Sequence, residues 1–146
     1  MPRATPPDAA MAIDTHGMIN ALTTNQNSVR VAVIDAIECG TMMVLRPVSD
    51  EIKKLRPDLW DDFKDIKNKK YLHVTVKAVL AATMLSEQYG ASILGSIPSG
   101  DHFEAVAAAR THGCTLVSSG KALGHCADIA KKCGLPSDSV IPITSV

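Results

Sequence analysis

Short apolar runs alternate with longer stretches of helical periodicity along the chain, and this alternation restricts the folds open to it more than any other feature. Met11-Ala12-Ile13 is an apolar run that ends at Asp14. Thr15 is placed to cap a helix carrying Met18, Ile19 and Leu22 on one side. Asn27 or Ser28 opens a second helix through Val29, Ala32, Val33, Ala36 and Ile37, with Gly40 where a left-handed terminus is expected. Residues 42–45 form the second strand. A short helix over 47–55 restarts at Pro57, a residue suited to a first turn, and continues with Leu59, Phe63 and Ile66 at helical spacing.

The rhythm repeats downstream. Residues 71–76 alternate and are β-rich, and residues 76–89 carry a helical pattern ended by Gly90. The stretch 95–100 breaks the pattern with Pro98, Ser99 and Gly100, after which a helix is predicted over 102–112, stopped by Gly113. A strand over 114–117, a helix around 127–132 closed by Gly134 and Pro136, and a strand over 140–143 complete the series. Strands joined by helices predict an α/β class: a three-layer α/β/α sandwich around a central five-stranded parallel sheet, because right-handed crossovers place helices on the sheet faces. At 146 residues one core is expected. The organisation read here is a flexible leader over 1–10, which has three prolines and no apolar segment of a secretory signal, followed by a single domain over 11–146.

Composition removes several functions. Fifteen Lys+Arg balance 15 Asp+Glu, so contact with a polyanion must come from a local basic patch. Trp60, Phe63, Tyr71, Tyr89 and Phe103 do not form a row of stacking platforms for bases. Apolar runs such as 31–34 and 79–82 fall far short of the roughly 20 residues of a membrane span. Neither a Gly-x-Ser-x-Gly elbow, a GxxxxGK[ST] loop nor a GxGxxG fingerprint is present. Cys39, Cys114, Cys126 and Cys133 lack zinc-knuckle spacing, so reduced thiols in a cytoplasm are expected.

In open parallel sheets ligands gather outside the carboxyl ends of the strands, near the point where strand order reverses. Asp14 follows the first strand, Glu51 lies on the helix after the second, and Asp101 stands at the mouth of the helix after the Pro98-Ser99-Gly100 break. Each acid has a structural alternative: Asp14 and Asp101 as helix caps, the latter with Glu104 completing a capping box, and Glu51 as a solvated helix acid. On a helix Glu51 falls against the stripe of Val48 and Leu55, which makes it the inward acid. Three converging carboxylates repel one another unless a divalent cation joins them, and oxygen-only ligands suit Mg²⁺ or Mn²⁺. His16 and His102, beside two of these acids, are flanking candidates.

These segments resemble the PIN-domain family of small metal-dependent ribonucleases, which includes many bacterial toxins. Ala12-Ile13-Asp14-Thr15 looks like the family's first acid motif and Pro47-Val48-Ser49-Asp50-Glu51-Ile52 like its second. Asp101 with the Ala-rich helix after it, the His112-Gly113 turn and Thr115-Leu116-Val117-Ser118-Ser119 resemble the third acid, its helix and the following strand. The resemblance spans residues 10–143 and implies that Asp14, Glu51 and Asp101 hold the metal as catalytic residues. It further implies Ser118 or Ser119 at the strand-end polar position, with Glu104 as a substitute ligand. The family's fourth acid is missing, since Ser119, Gly120 and Lys121 occupy its region. An RNA substrate, an antitoxin partner and a homodimer are the associated expectations. The alternatives are a catalytically impaired PIN-like module that binds RNA or a protein, and an unrelated α/β protein whose strand-end acids only cap helices. Arg46, Lys53, Lys54 and Arg56, the group Lys67, Lys69 and Lys70, and Lys121 are basic candidates for the phosphate chain. Because charge clusters on helices are usually solvated faces, none is assigned to RNA.

Overall fold

The computed structural model describes residues 11–72, 100–132 and 134–146, with the side chains of residues 101–104, 112, 132 and 137 outside that description. Five strands, β1 (Met11–Ile13), β2 (Met42–Leu45), β3 (Tyr71–Leu72), β4 (Thr115–Ser118) and β5 (Val140–Pro142), form one parallel sheet in the order β3-β2-β1-β4-β5. The α/β class and the five-stranded parallel sheet predicted from the apolar rhythm are therefore what the chain adopts. In register, Ile13 of β1 lies beside Val44 of β2 and Val117 of β4.

The helices are α1 (Thr15–Thr23), α2 (Asn27–Cys39), α3 (Pro47–Leu55), α4 (Trp60–Lys64), α5 (Gly100–His112) and α6 (Gly120–Lys132). From β1 the chain steps outward through β2 to β3, returns past β1 to β4, and steps outward again to β5. Right-handed crossovers running in opposite directions lie on opposite faces, which gives the outer layers of the sandwich. Packing follows this division: α1 lies against α2 and α3, and α5 lies against α6.

The central strands are buried on both sides, as a covered parallel sheet requires: Ala12, Ile13, Val44, Leu116 and Val117 are all fully buried. Met18 and Val33, with Ile52 and Phe63, bring the helices onto one side of the core, and Ile129 brings α6. Gly40 ends α2 at φ 91, a left-handed conformation that costs a side-chain-bearing residue about 1 kcal/mol or more. Pro47 occupies the first turn of α3, as its fixed φ favours.

Four expectations change in detail. Asp14, not Thr15, caps α1, and Thr15 is its first helical residue. The segment restarting at Pro57 begins as a 3₁₀ turn, Pro57–Leu59, before α4. The strand placed at 114–117 is one residue later, at Thr115–Ser118. The last helix begins at Gly120 rather than near Ala127; Gly120 and Gly124 depress helix propensity there, and packing onto the sheet overrides it. The predicted helix over 76–89, the break over 95–99 and most of the strand over 71–76 lie outside the described residues. Among the described residues, no helix is long and apolar enough to cross a membrane.

Candidate functional site

The order β3-β2-β1-β4-β5 reverses direction at β1 and β4, and the chain leaves β1 at Asp14. The Asp14 amide donates to the carbonyl of Val117 at 3.1 Å, so the ladder with β4 fixes its backbone beyond the last strand residue. Its extended conformation, φ −89 and ψ 178, turns the chain into α1 and aims the carboxylate at the helix start. Oδ1 accepts from the Gly17 amide at 2.7 Å, and Oδ2 accepts from the Ser118 hydroxyl at 2.6 Å. The carboxylate is buried, with the residue only 6% exposed.

Burial pushes the Asp14 pKa above the usual carboxylate range, against the opposing effects of the Ser118 hydroxyl, the Gly17 amide and the nearby His16. Among the described residues Asp14 forms no salt bridge. Gly17 permits the close approach of α1 to the strand ends. A Cβ there would meet Ile13 Cγ1 and the Val117 carbonyl oxygen at 3.0 Å and Asp14 Oδ1 at 3.2 Å.

Glu51 is brought to the same region by the packing of α3 on α1. Its Oε1 accepts from the hydroxyl of Thr15, the residue after Asp14, at 2.5 Å. Glu51 is half-buried beside the buried Val48, Ser49 and Ile52, whereas Leu55, the last residue of α3, is 56% exposed and does not extend the stripe. Asp101 and Glu104 are on the first turns of α5, with side chains outside the described residues. Among the described residues, no three His, Cys, Asp or Glu side chains are grouped closely enough to hold a metal ion.

Ser118 and Ser119 divide the strand-end polar position between them. Ser118, fully buried, holds Asp14, while the Ser119 hydroxyl donates to the carbonyl of His16 at 2.9 Å. The Ser119 carbonyl also accepts from the Leu123 amide, so one residue closes the first turn of α6 and ties it to α1. Between these two helices a cleft of about 570 Å³ opens, bounded by His16 and Asn20 on one side and Lys121 and His125 on the other.

Sequence reasoning missed this cleft because it started the last helix too late. With α6 beginning at Gly120, the spacing of Lys121 and His125 puts both on one helix face, as does that of His16 and Asn20 on α1. The other basic candidates include several with local partners. Arg46 donates to Ser49 and lies 5.4 Å from the Tyr71 ring, Lys53 lies 4.3 Å from the Trp60 ring, and Arg56 pairs with Asp58. Lys69 lies over Phe63 and donates to main-chain carbonyls.

No protein-family model and no curated protein matches the sequence. Among solved structures, the chain is similar to the crystal structure of VapBC2 from Rickettsia felis bound to a DNA fragment from their promoter. The TM-score is 0.63 at 13% identity, over 91% of this chain and 98% of that one. At that identity the likeness is one of fold, and it extends across almost the full length of both chains.

Proposed function

We propose that this protein is a metal-dependent endoribonuclease of toxin-antitoxin type, acting at the carboxyl ends of β1, β2 and β4. The observation that carries the reading is the Asp14 carboxylate, buried at the reversal of strand order and oriented by two donors, without a salt bridge among the described residues. A fold that desolvates a carboxylate without pairing it loses stability there, and a bound cation offsets that loss. The whole-length fold likeness to VapBC2 and the PIN resemblance of the acid segments support the same reading.

The donor set fits a hard dication. Asp14, Glu51 and Asp101 are all oxygen ligands, suited to Mg²⁺ or Mn²⁺. Asp14 and Glu51 reach one region through Thr15, and the third ligand would come from α5, as Asp101 or its substitute Glu104. When bound, the metal supplies a water of lowered pKa and neutralises charge on the leaving oxygen of the phosphodiester. Ser118 and the Gly17 amide each occupy one lone pair of Asp14, which leaves each carboxylate oxygen a further lone pair for a metal. Thr15 orients Glu51, and Ser119 holds the two helices that frame the substrate entrance. With Gly120 and Lys121 in place of a fourth acid, the site carries one negative charge fewer and is suited to a single metal ion. An antitoxin covering the strand-end carboxylates and a homodimer complete the proposal for partners, in a bacterial cytoplasm.

The test is cleavage of a labelled oligoribonucleotide by the purified chain, with Mg²⁺ and with chelator. Metal-dependent cleavage by wild type, abolished in Asp14→Asn and Glu51→Gln with circular dichroism unchanged, supports the reading. Full activity in both variants overturns it. Gly120 and Lys121 favour a second reading, an impaired PIN-like module that binds RNA or a protein; metal-independent binding without cleavage is its outcome in the same assay.

A further inference from the structure

The cleft between α1 and α6 adjoins the strand end that holds Asp14 but has the opposite chemistry. Lys121 brings an ammonium, His16 and His125 bring imidazole N–H groups, and Asn20 and Thr23 bring an amide and a hydroxyl. None of the described residues that line it is acidic. Lys121, Asn20 and Thr23 are exposed, so the donors are at the surface of a concave site and accessible to a polymer.

Two consecutive residues join this cleft to the acidic region. Ser118 holds Asp14, and Ser119 holds the His16 carbonyl, so the floor of one becomes the rim of the other. Elsewhere, Arg46, Lys53 and Arg56 are engaged with Ser49, Trp60 and Asp58, whereas Lys121 lines open space. Lys121 lies in the region, Ser119 to Lys121, where the PIN resemblance expects a fourth acid, so that region carries a positive charge and no carboxylate.

We propose that the α1–α6 cleft binds a backbone phosphate of single-stranded RNA next to the scissile one, with Lys121 supplying the charge and His125, His16 and Asn20 the hydrogen bonds. The choice of polymer rests on the ribonuclease reading above; the phosphate chemistry of the cleft does not. Contacts of this kind position a strand without reading its sequence.

The experiment is fluorescence anisotropy of a fluorescein-labelled, mixed-sequence single-stranded oligoribonucleotide with the full chain, in EDTA to prevent cleavage, over a salt series. Lys121→Glu and the double variant Lys121→Ala/His125→Ala are expected to weaken binding roughly ten-fold and to lower the log–log salt slope by about 0.7 for the lost phosphate contact. Lys121→Arg retains binding. Lys131→Ala, on the exposed last turn of the same helix, leaves both quantities unchanged. Thermal melts confirm folding, and Lys121→Met replaces any variant that fails to fold.

Unchanged affinity and slope in Lys121→Glu, or no RNA binding by wild type, overturns the proposal. So does a result in which Lys121→Glu loses an acidic oligo-aspartate peptide but keeps RNA, which makes the cleft a protein site. Failure of the ribonuclease reading is distinguishable: wild type then shows no cleavage in Mg²⁺ while the EDTA binding still depends on Lys121. Conversely, cleavage by wild type with an unchanged KM in Lys121→Glu removes the cleft proposal alone.

Discussion

The hydroxyl of Ser118 donates to Oδ2 of Asp14 at 2.6 Å, joining the ends of two adjacent parallel strands across 104 positions of sequence. The bond favours the ionised carboxylate against the cost of burial. Removing it in Ser118→Ala leaves a buried acceptor short of a partner, so stability is expected to fall by about 1–3 kcal/mol. Metal affinity is expected to fall by about 10–100-fold, as for loss of a group that orients a ligand. Urea unfolding and Mn²⁺ titration check the two effects separately.

Asp14 itself carries a pH-dependent destabilisation in the metal-free protein. Its folded pKa is raised, so the native state binds the proton more tightly than the unfolded chain. Stability therefore declines as pH rises from the unfolded carboxylate value through the raised folded value, and the full penalty remains above it. Metal-free Asp14→Asn is expected to melt at a higher temperature than wild type near neutral pH, with the advantage disappearing below about pH 4. Calorimetry across that range in EDTA provides the comparison; an advantage that grows with acid contradicts it.

Adding Mg²⁺ is expected to reverse the order. With Asp14 as the proposed metal ligand, saturating metal is expected to raise wild-type stability by about 2.7 kcal/mol at a hundred times its Kd, through binding to the native state. Asp14→Asn gains little. A melt series in Mg²⁺ against Ca²⁺-free, EDTA-treated protein reads the difference directly.

Gly17 sets the distance between α1 and the strand ends. In Gly17→Ala the new Cβ has to displace Ile13 Cγ1, a main-chain oxygen of β4 and the Asp14 carboxylate, all at 3.0–3.2 Å. Overpacking of this kind costs about 1–3 kcal/mol. RNA cleavage is expected to fall further than the stability loss explains, because Oδ1 of Asp14 moves with the helix. Activity measured well below the melting temperature separates the two.

Thr15→Val keeps the shape of the side chain but removes the donor to Glu51. Thr15→Ser retains it. Mn²⁺ affinity is expected to drop about 10-fold or more in the valine variant and to recover in the serine variant. Equal affinity in all three proteins excludes a role for this bond in orienting Glu51.

Much of the layered architecture was legible because short apolar runs bury on both faces only as covered parallel strands. Met11 to Ile13 and Met42 to Leu45 are such runs, and both became central or near-central strands. Asp14 was legible as a strand-end acid for the same reason, and Glu51 as the acid on the inner side of α3. The capping role passed to Asp14 instead of Thr15 because its carboxylate reaches the Gly17 amide, which leaves the Thr15 hydroxyl to Glu51. The start of α6 was not legible: Gly120 and Gly124 argue locally against helix, and packing against α5 and the sheet outweighs them. That one displaced boundary concealed the cleft of Lys121 and His125.

Hydrophobic periodicity along the chain thus specified strands, helices and the strand-end position of the acids, since burial of one face is a local property of residue order. Which strands are neighbours is a property of the assembled sheet. The placement of β4 against β1 brings Ser118 to Asp14, and the packing of α3 on α1 brings Glu51 to Thr15. Desolvation of Asp14 and the cationic cleft beside it arise from that long-range packing, because burial and electrostatic environment depend on what surrounds a group in space rather than on its neighbours in sequence.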